Sequence, residues 1–77
     1  MNCEKMKYYK NREFNYQIIR VGTEFEHNGT TRYNYHHLDG TRWKLPSHPY
    51  GMAVGELRLR WVELTKAEQV KLHLKLM

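Results

Sequence analysis

Two turn signals constrain this chain more than anything else in it. Asn28-Gly29 and Asp39-Gly40 bracket a run in which Tyr33 and Tyr35 alternate with Arg32, Asn34 and His36. Asn-Gly and Asp-Gly supply residues that tolerate positive φ, and between alternating segments they mark hairpins. Residues 25–45 therefore read as two consecutive β-hairpins at the centre of a small antiparallel sheet.

Side-chain sorting suggests a register. A three-residue loop at His27-Asn28-Gly29 sets Val21 opposite Tyr35, Thr23 opposite Tyr33 and Phe25 opposite Thr31, with Glu24 facing Arg32. The same loop type at Leu38-Asp39-Gly40 sets Tyr35 opposite Trp43, Arg42 opposite His36 and Lys44 opposite Asn34. Period-2 alternation then places Tyr33, Tyr35 and Trp43 on one face. Glu24, Arg32, Asn34, His36, Arg42 and Lys44 fall on the other.

The flanking segments complete the expected fold. Residues 14–21 alternate as a strand, and Gly22 suggests a bulge that switches the inward set. Residues 56–64 alternate again, with Leu57, Leu59 and Trp61 to one side and Arg58 and Arg60 to the other. Thr65-Lys66-Ala67-Glu68 is a capping box, and the residues after it are strong helix formers. Ala67, Val70, Leu74 and Met77 form a helical stripe, although Val70, Leu72, Leu74 and Leu76 also alternate as a strand would. Capping and propensity favour the helix. The expected fold is α+β: a meander of about four antiparallel strands with a C-terminal helix packed on one face. Residues 1–13 read as an N-terminal arm or short helix, and residues 14–77 as a single domain.

Charge and motif content narrow the function. The 77 residues carry 13 Lys and Arg against 8 Asp and Glu, a net charge of +5, which favours acidic partners. A chain this short buries a modest core, so a homodimer or a bound partner would relieve its marginal stability. Cys3 is the single cysteine, which excludes an intrachain disulfide and multi-cysteine zinc sites and fits a reducing cytoplasm. Residues 1–13 lack the apolar segment of a secretory signal, and the apolar runs are too short to span a bilayer. His36 and His37 are adjacent and point to opposite faces of a strand, so they do not share a metal ion, and no cofactor motif is present. An RNase built on His36, Arg32 and Arg60 would be the enzymatic reading, but no nucleophile with a placed base supports it.

The reading that absorbs most of the charge is a non-enzymatic nucleic-acid-binding domain. Its contact residues would be Arg32, Asn34, His36, Arg42, Lys44, Arg58 and Arg60 on one open sheet face. Arg and Asn read base edges, and Lys and Arg neutralise phosphates. A second reading is a small phage- or mobile-element-type protein that binds and inhibits an acidic host protein. Several strands followed by a C-terminal helix, with Arg and Lys on the open face, resemble the plant AP2-type DNA-binding domain and the amino-terminal arm-binding domains of tyrosine integrases. The likeness is architectural, covers about residues 23–77, and implies a sheet inserted into the major groove.

Overall fold

The structure, a computed structural model, describes residues 6–47 and 50–76. Its elements run β1 (Lys7–Asn11), β2 (Ile18–His27), β3 (Thr30–Asp39), β4 (Arg42–Lys44), β5 (Met52–Ala53), α1 (Val54–Arg60), β6 (Trp61–Glu63) and α2 (Lys66–Leu76). The strands form one antiparallel sheet in the order β4-β3-β2-β1-β6, with β5 also pairing β3. The fold is α+β with a C-terminal helix on the sheet, as the sequence leads one to expect, but with six strands rather than about four.

Three segments differ from expectation. Of the arm or short helix expected over residues 1–13, residues 1–5 lie outside the described residues and Lys7–Asn11 are strand β1, paired on both sides by β2 and β6. Its Tyr8 and Tyr9 suit a strand that is half-buried on both faces. Residues 12–17 are a turn, so β2 begins at Ile18 rather than at residue 14. The expected strand over residues 56–64 is helix α1 followed by the short β6. Glu, Leu and Arg are strong helix formers, and Glu56 in the first turn with Arg58 and Arg60 in the last suits the helix dipole. The alternation of leucines is coincidental: Leu57 is buried, while Leu59 is 71% exposed.

The hairpin registers are also shifted. Asn28 and Gly29 both have positive φ (51° and 77°) and form a two-residue loop, with His27 opposite Thr30 and Phe25 opposite Arg32. One extra residue in β2 between Val21 and Glu24 then shifts the ladder, so Val21 faces Tyr35 as expected from the sequence. In the second hairpin the loop is Gly40-Thr41, which pairs Asp39 with Arg42, Leu38 with Trp43 and His37 with Lys44. Gly40 has φ of 68° at the first loop position, which a glycine accepts without cost.

Each face of the sheet carries a helix. On one, Ile19, Val21, Met52 and Leu57 form the core, with Tyr9, Tyr33, Tyr35 and Trp61 packed against it under α1. Helix α2 lies on the other face, where Lys10, Ile18 and Leu38 line a groove with Leu64 and Leu72. Leu64 and Leu72 are both buried. The expected capping box forms: Glu68 N–H donates to Thr65 Oγ1 (3.2 Å), and Thr65 N–H donates to Glu68 Oε1 (2.9 Å). The stripe that α2 buries includes Leu72. Val70 and Leu74, from the expected stripe, are 55% and 64% exposed, and Met77 lies outside the described residues.

Candidate nucleic-acid interface

The seven candidate residues do not share one sheet face. Alternation along β3 puts Arg32, Asn34 and His36 on the α2 face. Arg42 and Lys44 pair with Asp39 and His37, which point to the α1 face. Arg58 and Arg60 belong to α1. The cause is the Gly40-Thr41 loop. It pairs Arg42 with Asp39 instead of His36, a displacement by an odd number of residues, which turns every β4 side chain over.

The three on the α2 face have local roles. Arg32 donates through Nε to the Tyr50 carbonyl and through Nη2 to the Gly51 carbonyl (3.4 Å), holding the segment that leads into β5. Asn34 Nδ2 donates to Thr23 Oγ1 (3.2 Å) at the bulge. His36 sits opposite Arg20, which is itself opposite Tyr8. Burial, then the positive charge of Arg20 and neighbouring His37, push the His36 pKa below the usual imidazole range. Its neutral ring is a poor phosphate ligand at neutral pH. The Arg20 guanidinium lies 4.7 Å from the Trp43 ring centroid, and Tyr8 contacts both Trp43 (5.9 Å) and His73 (5.3 Å). Trp43, expected in the aromatic core with Tyr33 and Tyr35, therefore belongs to the opposite side. The RNase constellation does not assemble either: Arg32 is engaged with the backbone, and Arg60 lies on another element.

Arg12, Arg58 and Arg60 converge at one end of the sheet, and Arg42 lies at the same end on the edge strand β4, across β3 and β2 from them. β1 ends there at Asn11, β2 begins there at Ile18, and the Gly40-Thr41 loop and the α1–β6 junction lie at the same end. The 12–17 turn is tightly built. Asn11 Oδ1 accepts from the N–H groups of Glu13 (2.8 Å) and Phe14 (2.9 Å). Gln17 N–H donates to the Phe14 carbonyl (2.9 Å). Arg12 joins this turn to α1: its N–H donates to the Arg60 carbonyl (2.8 Å) and its Nη2 to the Arg58 carbonyl (3.2 Å). A guanidinium over the last helical carbonyls offsets the negative end of the helix dipole.

Ion pairing leaves these arginines available. Among the described residues the ion pairs are Lys10–Glu68 (2.5 Å) and Lys44–Asp39 (3.0 Å). Lys44 holds the Asp39 carboxyl below its usual range through a hydrogen bond. Arg12, Arg42, Arg58 and Arg60 take part in neither pair, and all four are exposed. Beside them stand Phe14 and Tyr16, 47% and 75% exposed, with ring centroids 6.1 Å apart. Arg12, Phe14 and Tyr16 were not among the candidates, because residues 1–13 read as an arm and residues 14–21 as a strand. The available signal was Asn11, a turn-forming residue placed before two exposed aromatics.

Comparisons with family models, with curated proteins and with solved structures return no match. No helix among the described residues is long and apolar enough to cross a membrane.

Proposed function

We propose that this chain is a non-enzymatic nucleic-acid-binding domain whose cationic contact surface is the sheet end around Arg12, Arg42, Arg58 and Arg60. The observation that carries this is the pair of hydrogen bonds from Arg12 to the carbonyls of Arg58 and Arg60. They hold three arginine-bearing positions together on a rigid turn and a helix end, with no carboxylate paired to them among the described residues. Guanidinium groups in such an array neutralise successive phosphates and release their counterions. Of the seven sheet-face candidates, Arg42, Arg58 and Arg60 stay in this site. Lys44 is tied to Asp39, Arg32 and Asn34 hold backbone and turn groups, and His36 favours its neutral form. A reducing cytoplasm, suggested by the lone Cys3, is the compartment in which the domain would act.

The test is a salt titration of binding to labelled single-stranded and duplex DNA. Four phosphate contacts give a log–log slope of about −2.8 for a single strand and about −3.6 for a duplex. Arg58→Ala/Arg60→Ala should weaken binding and flatten that slope by about half. Salt-independent binding, or a slope the double variant leaves untouched, would sink the proposal. The second reading, a small inhibitor of an acidic host protein, draws on the exposed Val70 and Leu74 of α2. Affinity capture from lysate with and without nuclease separates the two. Loss of every captured component after nuclease supports the nucleic-acid reading, and a stoichiometric protein that survives nuclease supports the inhibitor.

A further inference from the structure

We infer that the 12–17 turn is a base-stacking site, so that the sheet end binds single-stranded nucleic acid, with unpaired bases against Phe14 and Tyr16 and phosphates on the surrounding cations. This deepens the nucleic-acid reading and rests on it.

The aromatic exposure needs a physical reason. The chain has a small core, yet Phe14 and Tyr16 are held out of it by a turn that Asn11 and Gln17 close with four hydrogen bonds, and that has two ties to α1. The turn is thus preorganised, and ordering it on binding costs little. Exposed aromatic faces bind bases by stacking, and they do so with any base, because every base has a π-face. A duplex stacks its bases on one another and offers none to a side chain. The two rings are inclined at 62°, so they cannot both insert into one continuous base stack. They suit a kinked strand that gives one base to each ring.

Charge is placed to match. On the α1 side of the turn a cleft of about 470 Å³ is lined by Arg12, Phe14, Leu59 and Arg60. On the α2 side a groove of about 500 Å³ is lined by Tyr16, Lys71 and Lys75, over Ile18, Leu38 and Leu72. Both volumes fall within the range of small-molecule sites, roughly 300–1,000 Å³. A strand crossing the turn meets cations before and after the aromatic pair. Glu13 is the acidic residue that lines the first cleft, and Glu68 in the second is neutralised by Lys10.

The deciding experiment compares a fluorescent oligothymidylate of about 12 nucleotides, within the span one small domain covers, with a duplex of equal length. The proteins are the wild type, Phe14→Ala/Tyr16→Ala and Phe14→Trp/Tyr16→Trp. Each lost stack lowers single-strand affinity by about 5-fold to 150-fold. The double alanine variant should therefore bind oligothymidylate at least about tenfold more weakly, with duplex binding and salt slope unchanged. The double tryptophan variant should restore binding. Both side chains lie outside the core, so thermal unfolding should be unaffected and serves as the control. Equal losses on oligothymidylate and duplex, or no loss on either, overturn the stacking site and leave the arginine surface standing. Failure of the wild type to bind either probe at low salt overturns both.

Discussion

Replacing Gly51 with alanine should destabilise this protein more than replacing any other turn glycine. Gly51 has φ of 67°, and it is buried where the segment after β4 returns to pair β5 with β3. A methyl group there would overlap the Tyr33 carbonyl oxygen and sit 3.0 and 3.1 Å from Cε1 and Cζ of Phe25. Two costs add. The left-handed backbone disfavours an L side chain by about 1–2 kcal/mol, and relieving overlap in a packed site costs about 1–3 kcal/mol more. The obstacle is a backbone carbonyl, which cannot swing aside as a side-chain tip can. The total of about 2–5 kcal/mol compares with a stability of about 4–12 kcal/mol for a chain of this length. Gly29→Ala is the matched control: φ is 77°, but nothing lies within 4 Å of the added methyl, so only the backbone cost of about 1–2 kcal/mol applies. With a urea m-value of about 1 kcal/mol/M for a small domain, the midpoint should fall by about 2–5 M for Gly51→Ala and by about 1–2 M for Gly29→Ala. Equal midpoints for the two variants would refute the close approach at Tyr33.

Three further outcomes test the packing and the electrostatics. Leu72→Ala should cost about 2–5 kcal/mol in chemical denaturation, whereas Leu74→Ala, two residues along the helix and 64% exposed, should change stability by less than about 0.5 kcal/mol. Thr65→Ala removes the hydroxyl that accepts from Glu68 N–H and should cost about 0.5–2 kcal/mol, with Thr65→Ser recovering most of it. His36 has a lowered pKa in the folded state, so the unfolded chain binds more protons between the two values. Stability should therefore fall as pH drops below the ordinary imidazole range near about 6.5, and His36→Gln should flatten that part of a thermal-unfolding profile taken from pH 7.5 to pH 5.5.

Much of the fold was legible because local chemistry and tertiary demands agree at the relevant residues. Asn28-Gly29 and Gly40 make the turns they advertise, Gly22 sits at the bulge, and Thr65 and Glu68 cap the last helix reciprocally. Where two local readings were both self-consistent, the longer-range contacts chose between them. Leu57, Arg58, Leu59 and Arg60 alternate and are also good helix formers, and the core needed only Leu57. Val70 and Leu74 looked like the buried stripe of α2. The sheet face beneath, with Ile18 and Leu38, took Leu72 instead. Part of the face expected to lie open to solvent, around Tyr8, Lys10, Ile18 and Leu38, is thereby covered, while Asn34 farther along it stays exposed.

The candidate site was legible in composition and illegible in placement, and the reason is geometric. Sheet faces alternate with a period of two, so a single-residue error in register moves a whole strand's side chains to the other side. The Gly40-Thr41 loop did this to Arg42 and Lys44. Position along a strand is far more forgiving, since one residue of slippage shifts a side chain by only about 3.3 Å. Connections in a meander also alternate between the two ends of the sheet. The 12–17 and 40–41 connections are separated by one hairpin loop, and they must lie at the same end. Recognising β1 as a strand would have sufficed to place Arg12 and Arg42 at the same end of the sheet, three strand spacings of about 4.8 Å apart, before any register was known. Only the meeting of Arg12 with Arg58 and Arg60 required tertiary structure, because it depends on α1 ending where β6 joins β1. For small antiparallel domains, then, clusters of functional residues that flank turns are a safer inference from sequence than clusters spread over a face.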